Sequence, residues 1–524
     1  MKPPSEHYPG MKLHSCCPST DHNHPIPNGL SRRNFIKLAG GSTLSVVALS
    51  GLSWRALAGA GPGDPAGITR RPLVVKPVLV YSIPEYRPQT SWRSWGGIQT
   101  RQDADEEIAR ITGELGKLQS EADFPVHMLP VSGIQGAGDI GNISDLSSAD
   151  VFLVYAAGGW MDTFDALQKM KKDMIIFCRH KSGPVYLWYE IISPRFLRQH
   201  TDKLAVSGID EQDVVIDSQD EILWRLRALC GLKNTLDTRI IAVGGPGAWA
   251  QPEGIVPGLV GEKFRFNIQT LSYDELGNLI LEARGDKSAV SRAERCAEEY
   301  LLDSSISLET DRKYVDNCFL LDEVFRKVLD NTNCRAITIN GCMGTIMPMA
   351  ETSACLTLSL LNDAGYLAFC ESDFVVIPAG ILLANISGKP VFLNDPTYPH
   401  DGIITLAHCT APRRMDGLTR EPARILTHFE SDYGAAPKVE MHTGQVLTNI
   451  IPDFLVSHYL GLKGTIIDHP FMDICRSQID ISFDVDSNLL ARRMQGFHWM
   501  TGYGDYMRET GYALKRIGID WEQL

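Results

Sequence analysis

Three stretches of this 524-residue chain set carboxylates or an imidazole at the edges of apolar segments, the usual place for side chains that move protons or hold cations. In the first, 348–365, the Leu/Ala spacing predicts a helix that ends at Gly365 with Glu351 in its first turn. The helix dipole favours an anion there whatever its function. In the second, Glu371 and Asp373 stand one residue apart after the short apolar run Ala368-Phe369-Cys370; such charged pairs are usually just solvated. In the third, His498 lies in the Gly/aromatic loop Gly496-Phe497-His498-Trp499 near the C-terminus. Each signal is weak alone. Their order, Glu351 then Asp373 then His498, is what gives them meaning together.

The elements that must position these residues read as alternating strands and helices. Val/Ile-rich runs at 74–82 (interrupted by Pro77), 150–156, 174–178 and 184–187 suit strands, with helical spacing at 103–122 and 218–230. That alternation predicts a parallel sheet covered on both faces. A second such unit opens with the strand Arg239-Ile-Ile-Ala-Val243 running into Gly244-Gly245-Pro246-Gly247. It lacks the G-x-G-x-x-G register of a dinucleotide site. Helices over 286–302 and 311–331 and a strand over 336–339 complete it. Beyond Cys342, Asp, Glu and His gather at the ends of short apolar strands at 374–377, 390–393, 402–407 and 464–467. The expected fold is α/β: two Rossmann-like parallel-sheet domains, 72–237 and 238–345, then a C-terminal mixed α/β, β-rich catalytic domain, 346–524.

Residues 1–58 read as a signal peptide. Arg32-Arg33 precede an Ala/Gly/Ser/Leu/Val run that closes on Ala56-Leu57-Ala58, the pattern of a twin-arginine export signal with an A-x-A cleavage site. Glycines and serines make the run a poor spanning helix. A Gly/Pro-rich linker, 59–71, follows. The expectation is export through the twin-arginine machinery to the periplasm or another extracytoplasmic space, already folded and with any metal acquired beforehand. No membrane insertion is expected after cleavage.

Composition narrows the partners. The net charge of −13 becomes −17 without residues 1–58, which carry a net +4. An acidic surface without a basic stripe disfavours nucleic acid. Twelve cysteines in an exported chain invite disulfides, yet most of the ten beyond Cys17 lie in apolar runs and no C-x-x-C occurs. They read as reduced, buried small hydrophobes.

The order of the three segments resembles the L-fucose isomerase/L-arabinose isomerase superfamily. The resemblance is best over 338–524, on Leu-Asn-Asp-Ala-Gly365, Cys-Glu-Ser-Asp373, Gly-Lys-Pro-Val-Phe-Leu-Asn-Asp395, Leu-Ala-His408-Cys-Thr-Ala-Pro412 and Gly-Phe-His498…Gly504-Asp505. It extends thinly upstream through Ser-Trp-Arg-Ser-Trp95-Gly-Gly. The resemblance implies a metal-dependent aldose–ketose isomerase working by enediol proton transfer on a small sugar. Glu351, Asp373 and His498 match the family's metal ligands, for Mn²⁺ or another divalent cation such as Mg²⁺, with Glu351 and Asp373 also as acid and base. His408 would line the pocket mouth, and Trp95 would pack on a sugar face from a neighbouring subunit of a homo-oligomer. The alternatives are an exported sugar-binding protein and a metal-assisted glycan hydrolase or lyase.

Overall fold

The structure, a computed structural model, describes residues 47–48, 67–186, 209–249, 251 and 254–524. Of the expected signal, only Val47–Ala48 falls within them, as a two-residue strand beside Asn267–Leu271. The arginine pair and the A-x-A site lie outside the described residues, as does most of the linker. Contacts divide the chain into two units, Arg70–Lys233 and a second comprising Asn234–Leu524 with the residues before Arg70.

The first unit holds an all-parallel sheet in the order Val126–Met128, Leu73–Val80, Val151–Ala156, Asp173–Cys178, Val214–Ile216. Its middle strands are buried on both faces, which is why they read as unbroken apolar runs. Pro77 does not break its strand. It falls between the stretches that pair with Val126–Met128 and with Ser132–Ile134, where that edge carries no ladder to be interrupted. Residues 184–186, expected in a strand, are in none. Trp95 belongs to this unit and is 56% exposed.

The second unit is built on two large sheets and a small one of Ile306–Leu308, Ala423–His428 and Tyr433–Val439. A parallel one runs Val47–Ala48, Asn267–Leu271, Arg239–Val243, Ala336–Ile339, Leu367–Phe369. Helices Tyr273–Gly285 and Arg312–Thr332 pack on it through Leu276, Leu279, Val324 and Val328. The other large sheet is antiparallel through its first six strands: Val446–Ile451, Trp499–Tyr503, Phe392–Pro396, Ile403–His408, Ser477–Ser482, His458–Asp468. Val446–Ile451 also pairs with His458–Asp468, so these six strands close into a barrel, and Asp520–Gln523 adds a seventh strand parallel to His458–Asp468. Trp499, Leu406, Leu447, Leu460 and Ile479 belong to its core. The expected boundary at 345 falls inside the parallel sheet, since Leu367–Phe369 belongs to it and the barrel begins at Phe392. Residues 374–376 form a turn rather than the start of a strand, and lead into the buried helix Ile377–Ser387. The molecule is thus α/β, with two parallel sheets and a C-terminal antiparallel barrel. No helix among the described residues is long and apolar enough to cross a membrane.

Candidate metal centre

Four side chains meet where the edge strand of the second unit's parallel sheet ends beside one mouth of the barrel. Two come from barrel strands and a third from the residue just before one. Asp395 lies in Phe392–Pro396, His408 ends Ile403–His408, and His498 immediately precedes Trp499–Tyr503. The ladder pairs Asn394 with Trp499 and Asp395 with Ala407, so Asp395 falls opposite His498 and next to the strand that carries His408. That register is pinned one layer below. Asn394 Nδ2 donates to Thr501 Oγ1 at 2.9 Å, and Thr501 donates to Asn449 Oδ1 at 2.6 Å. Gly496 makes the approach to His498: its φ is +66°, and a Cβ there would stand 2.8 Å from the Pro452 carbonyl oxygen.

The fourth side chain, Glu371, follows Leu367–Phe369. Carboxyl ends of parallel strands are where such sheets present ligand sites. Glu371 and Ser372 are both left-handed, with φ of 63° and 45°, a conformation that costs about 1–3 kcal/mol for a non-glycine residue. The loop after Arg239–Val243 holds this kink in place. Gly247 N–H donates to the Ser372 carbonyl, and Phe374 N–H donates to the Gly247 carbonyl, each at 3.1 Å. The glycine-rich turn therefore serves as a clamp on the site.

The polar atoms converge without hydrogen bonding one another. His498 Nε2 is 3.3 Å from Glu371 Oε2 and 3.2 Å from Asp395 Oδ1, and His408 Nε2 is 3.7 Å from Glu371 Oε1. Glu371 Oε2, Asp395 Oδ1, His408 Nε2 and His498 Nε2 are all buried with no hydrogen-bond partner. Four buried polar atoms without partners, two of them carboxylate oxygens, are costly unless positive charge sits among them. Metal–N/O bonds of about 2.0–2.2 Å imply ligand–ligand edges of about 3.0–3.6 Å, close to these separations. The outer nitrogens are already engaged: His498 Nδ1 with Asp373 Oδ2 at 2.8 Å, His408 Nδ1 with Thr410 Oγ1 at 3.0 Å. Imidazoles that bind metal are commonly oriented in this way. Glu371, His408 and His498 have the donor types and spacing to hold a metal ion, and Asp395 stands at hand to join them.

The electrostatics of the metal-free cluster agree. Burial would lower His498, but Asp395, Glu371 and Asp373 outweigh it and hold the imidazole well above its usual value. His408 is likewise raised against its burial, by Glu371 and Asp395. Burial pushes Asp395 up to about 6 despite the two imidazoles. For Glu371 the imidazoles win over burial, and it stays below its ordinary value. Protons here occupy the place of a cation.

Glu351 is not among the convergent groups. Residues 351–354 break the expected helix, which starts only at Cys355, and Glu351 itself is left-handed with φ of 50°. Its carboxylate bridges Arg284 and Lys313 at 2.8 and 2.7 Å, with the side chain 41% exposed. The two cations explain its depressed pKa, Lys313 first. Asp373 is at the site but turned outward from it: Oδ1 accepts the N–H groups of Trp249 (3.2 Å) and Val375 (3.1 Å) while Oδ2 orients His498. Of the expected ligands, only His498 presents a vacant lone pair to the cluster. Glu371, Asp395 and His408 complete it, and each stood in a segment quoted for the resemblance.

An aromatic pair covers this centre. Trp249 stacks on Phe497 at 3.8 Å between ring centroids and 6° between planes, and both rings meet His498 edge-on. Behind His408 and Glu371 lies a small cavity with a sulfur-rich wall, which includes Cys342, Cys355, Cys409 and Cys475. No family model matches the chain, and no curated protein matches it. The resemblance to the sugar isomerases therefore rests on the residues quoted for it.

Proposed function

We propose that Glu371, Asp395, His408 and His498 hold a divalent cation and that the protein interconverts an aldose and its ketose. The observation that carries this reading is the set of four buried polar atoms without hydrogen-bond partners gathered at one barrel mouth. Two imidazoles and two carboxylates suit Mn²⁺, with Mg²⁺ the harder alternative. When bound, the cation supplies Lewis-acid polarisation of two neighbouring sugar oxygens. The chain's own residues do the rest. Asp395 is the general base: its side chain is 21% exposed, and it is the cluster carboxylate open to solvent. It takes the proton from one of the two adjacent carbons and returns it to the other, while one hydroxyl proton passes in the same sense between their two oxygens. Asp373 fixes the His498 tautomer. Trp249 and Phe497, the latter 38% exposed, offer an apolar platform for a sugar face and keep water from His498. The sugar isomerase relationship, the homo-oligomer and periplasmic delivery by a twin-arginine signal belong to the same proposal.

The test is incubation of the Mn²⁺-loaded protein with a panel of aldoses and ketoses in deuterated water. Solvent deuterium should enter C1 or C2 of the product. Asp395→Asn should cut turnover by about 10²–10⁴-fold, the usual worth of acid–base catalysis. A folded protein that retains no divalent metal, or turnover that survives Asp395→Asn, would sink the assignment.

A further inference from the structure

We infer that Cys355, Cys409 and His428 form a second metal site, for a thiophilic cation of the Zn²⁺ kind, set behind the first. One sulfur or nitrogen atom from each lies within 4.8 Å of the others. With Zn–S near 2.3 Å and Zn–N near 2.0–2.1 Å, ligand–ligand edges of about 3.4–3.8 Å are needed, so the three can close on one ion with small rotamer changes. All three are buried, at 5%, 3% and 4% exposure. Beside them lies a cavity of about 10 Å³, room for one ion or water-sized body.

The three come from separate elements, so local structure does not oblige them to meet. Cys355 opens the helix Cys355–Asp363, Cys409 follows the barrel strand Ile403–His408, and His428 ends the strand Ala423–His428 of a separate three-stranded sheet. Their surroundings are those of metal ligands. His428 Nδ1 is engaged by Ser431 Oγ at 3.1 Å, which leaves Nε2 for a cation. Arg476 N–H points at Cys409 Sγ from 3.5 Å, the contact a thiolate takes. Cys475 approaches Cys409 within hydrogen-bond reach, which puts a third sulfur beside the group. Sulfur donors here and N/O donors next door select different ions. The ion would tie the helix, the barrel and the three-stranded sheet together at one point.

Titration of the metal-stripped, reduced protein with Co²⁺, a spectroscopic stand-in for Zn²⁺, tests this. The second site should give a near-ultraviolet sulfur-to-cobalt charge-transfer band with strong tetrahedral visible bands, saturating at one equivalent and erased by Zn²⁺. The N/O site has no sulfur and gives no such band, so Glu371→Gln should leave it intact, and the two assignments can fail separately. Cys409→Ser should abolish the band. His428→Ala, which spares every thiol, should weaken Co²⁺ binding by about tenfold or more. A wild-type titration without the band overturns the proposal, even if the serine variant fails to fold. A band that persists undiminished in His428→Ala overturns it too.

Discussion

Asp373→Asn separates an orienting role from a ligating one. In the wild type, Asp373 Oδ1 accepts two backbone N–H groups while Oδ2 accepts from His498 Nδ1 at 2.8 Å. Asparagine can keep its oxygen on the Trp249 and Val375 amides, so the loop should hold. Its NH₂ would then face Nδ1, which must become an acceptor, and the ring proton moves to Nε2. That nitrogen faces Glu371 Oε2 and Asp395 Oδ1, 3.3 and 3.2 Å away, where it would present a proton rather than a lone pair. A metal must reverse the tautomer and set Nδ1–H against the new amide NH₂, which leaves that buried donor unsatisfied at a cost of about 1–3 kcal/mol. The same range follows from the ~10–100-fold loss typical when such an orienting carboxylate is removed, since tenfold is about 1.4 kcal/mol. The assay is competition with a chromophoric chelator for Mn²⁺, alongside Tm of the metal-free protein. Affinity within about threefold of wild type, with Tm unchanged, would refute the orienting role. A loss as complete as that of Glu371→Gln would instead make Asp373 a ligand.

Other expectations follow from the same geometry. Glu351→Gln should leave Mn²⁺ affinity unchanged and cost at most about 1 kcal/mol in denaturant unfolding, because its ion pairs are partly exposed; a loss of metal would restore it as a ligand. In metal-free protein, the raised imidazoles stabilise the fold fully below 6.5, their ordinary value, and that contribution fades as pH rises through their higher folded values. Tm of the stripped protein should therefore fall above about pH 6.5 while Mn²⁺ affinity rises; parallel trends in pH scans with and without chelator would contradict this. Thiol titration of the denatured chain should find the ten cysteines beyond Cys17 reduced, as none of them is in a disulfide. Replacing Arg32 and Arg33 by Lys should trap the precursor in the cytoplasm, and equal export of that variant would remove the twin-arginine assignment.

What could be read from the sequence is what periodicity and local chemistry determine. The strands at Val151–Ala156, Arg239–Val243 and Ala336–Ile339 and the helix Arg312–Thr332 lie within a residue or so of their apolar patterns. The segment after Leu367–Phe369 and the loop before Trp499–Tyr503 were legible as places where polar groups meet apolar ends. Which atom of each faces inward was not. Glu371 rather than Asp373 presents its oxygens to the cluster because two successive left-handed residues turn the chain there. That turn depends on Gly247, more than a hundred residues earlier. Glu351 looked suitable because a carboxylate early in a helix looks placed by design; Arg284 and Lys313, distant in sequence, claim it instead.

The barrel was the least legible part, and it explains why Asp395 was overlooked as a ligand. An isolated Asn-Asp pair at the end of a five-residue strand reads as a turn. Only closure of the sheet, with Val446–Ile451 paired to His458–Asp468, fixes the register that sets Asp395 across from His498. A site assembled this way rests on cross-strand registry, not on sequence neighbours. The Asn394–Thr501–Asn449 chain should then matter to metal binding although none of its members touches the cluster. Thr501→Val keeps the shape and removes the hydroxyl, leaving Asn394 Nδ2 without this acceptor and Asn449 Oδ1 without this donor. Each such buried loss costs about 1–3 kcal/mol. If registry sets the site, Thr501→Val should weaken Mn²⁺ binding as well as lower Tm, and Thr501→Ser, which restores the hydroxyl, should recover the affinity. A valine variant that loses stability yet binds Mn²⁺ as tightly as wild type would show that the loops alone hold the ligands in place.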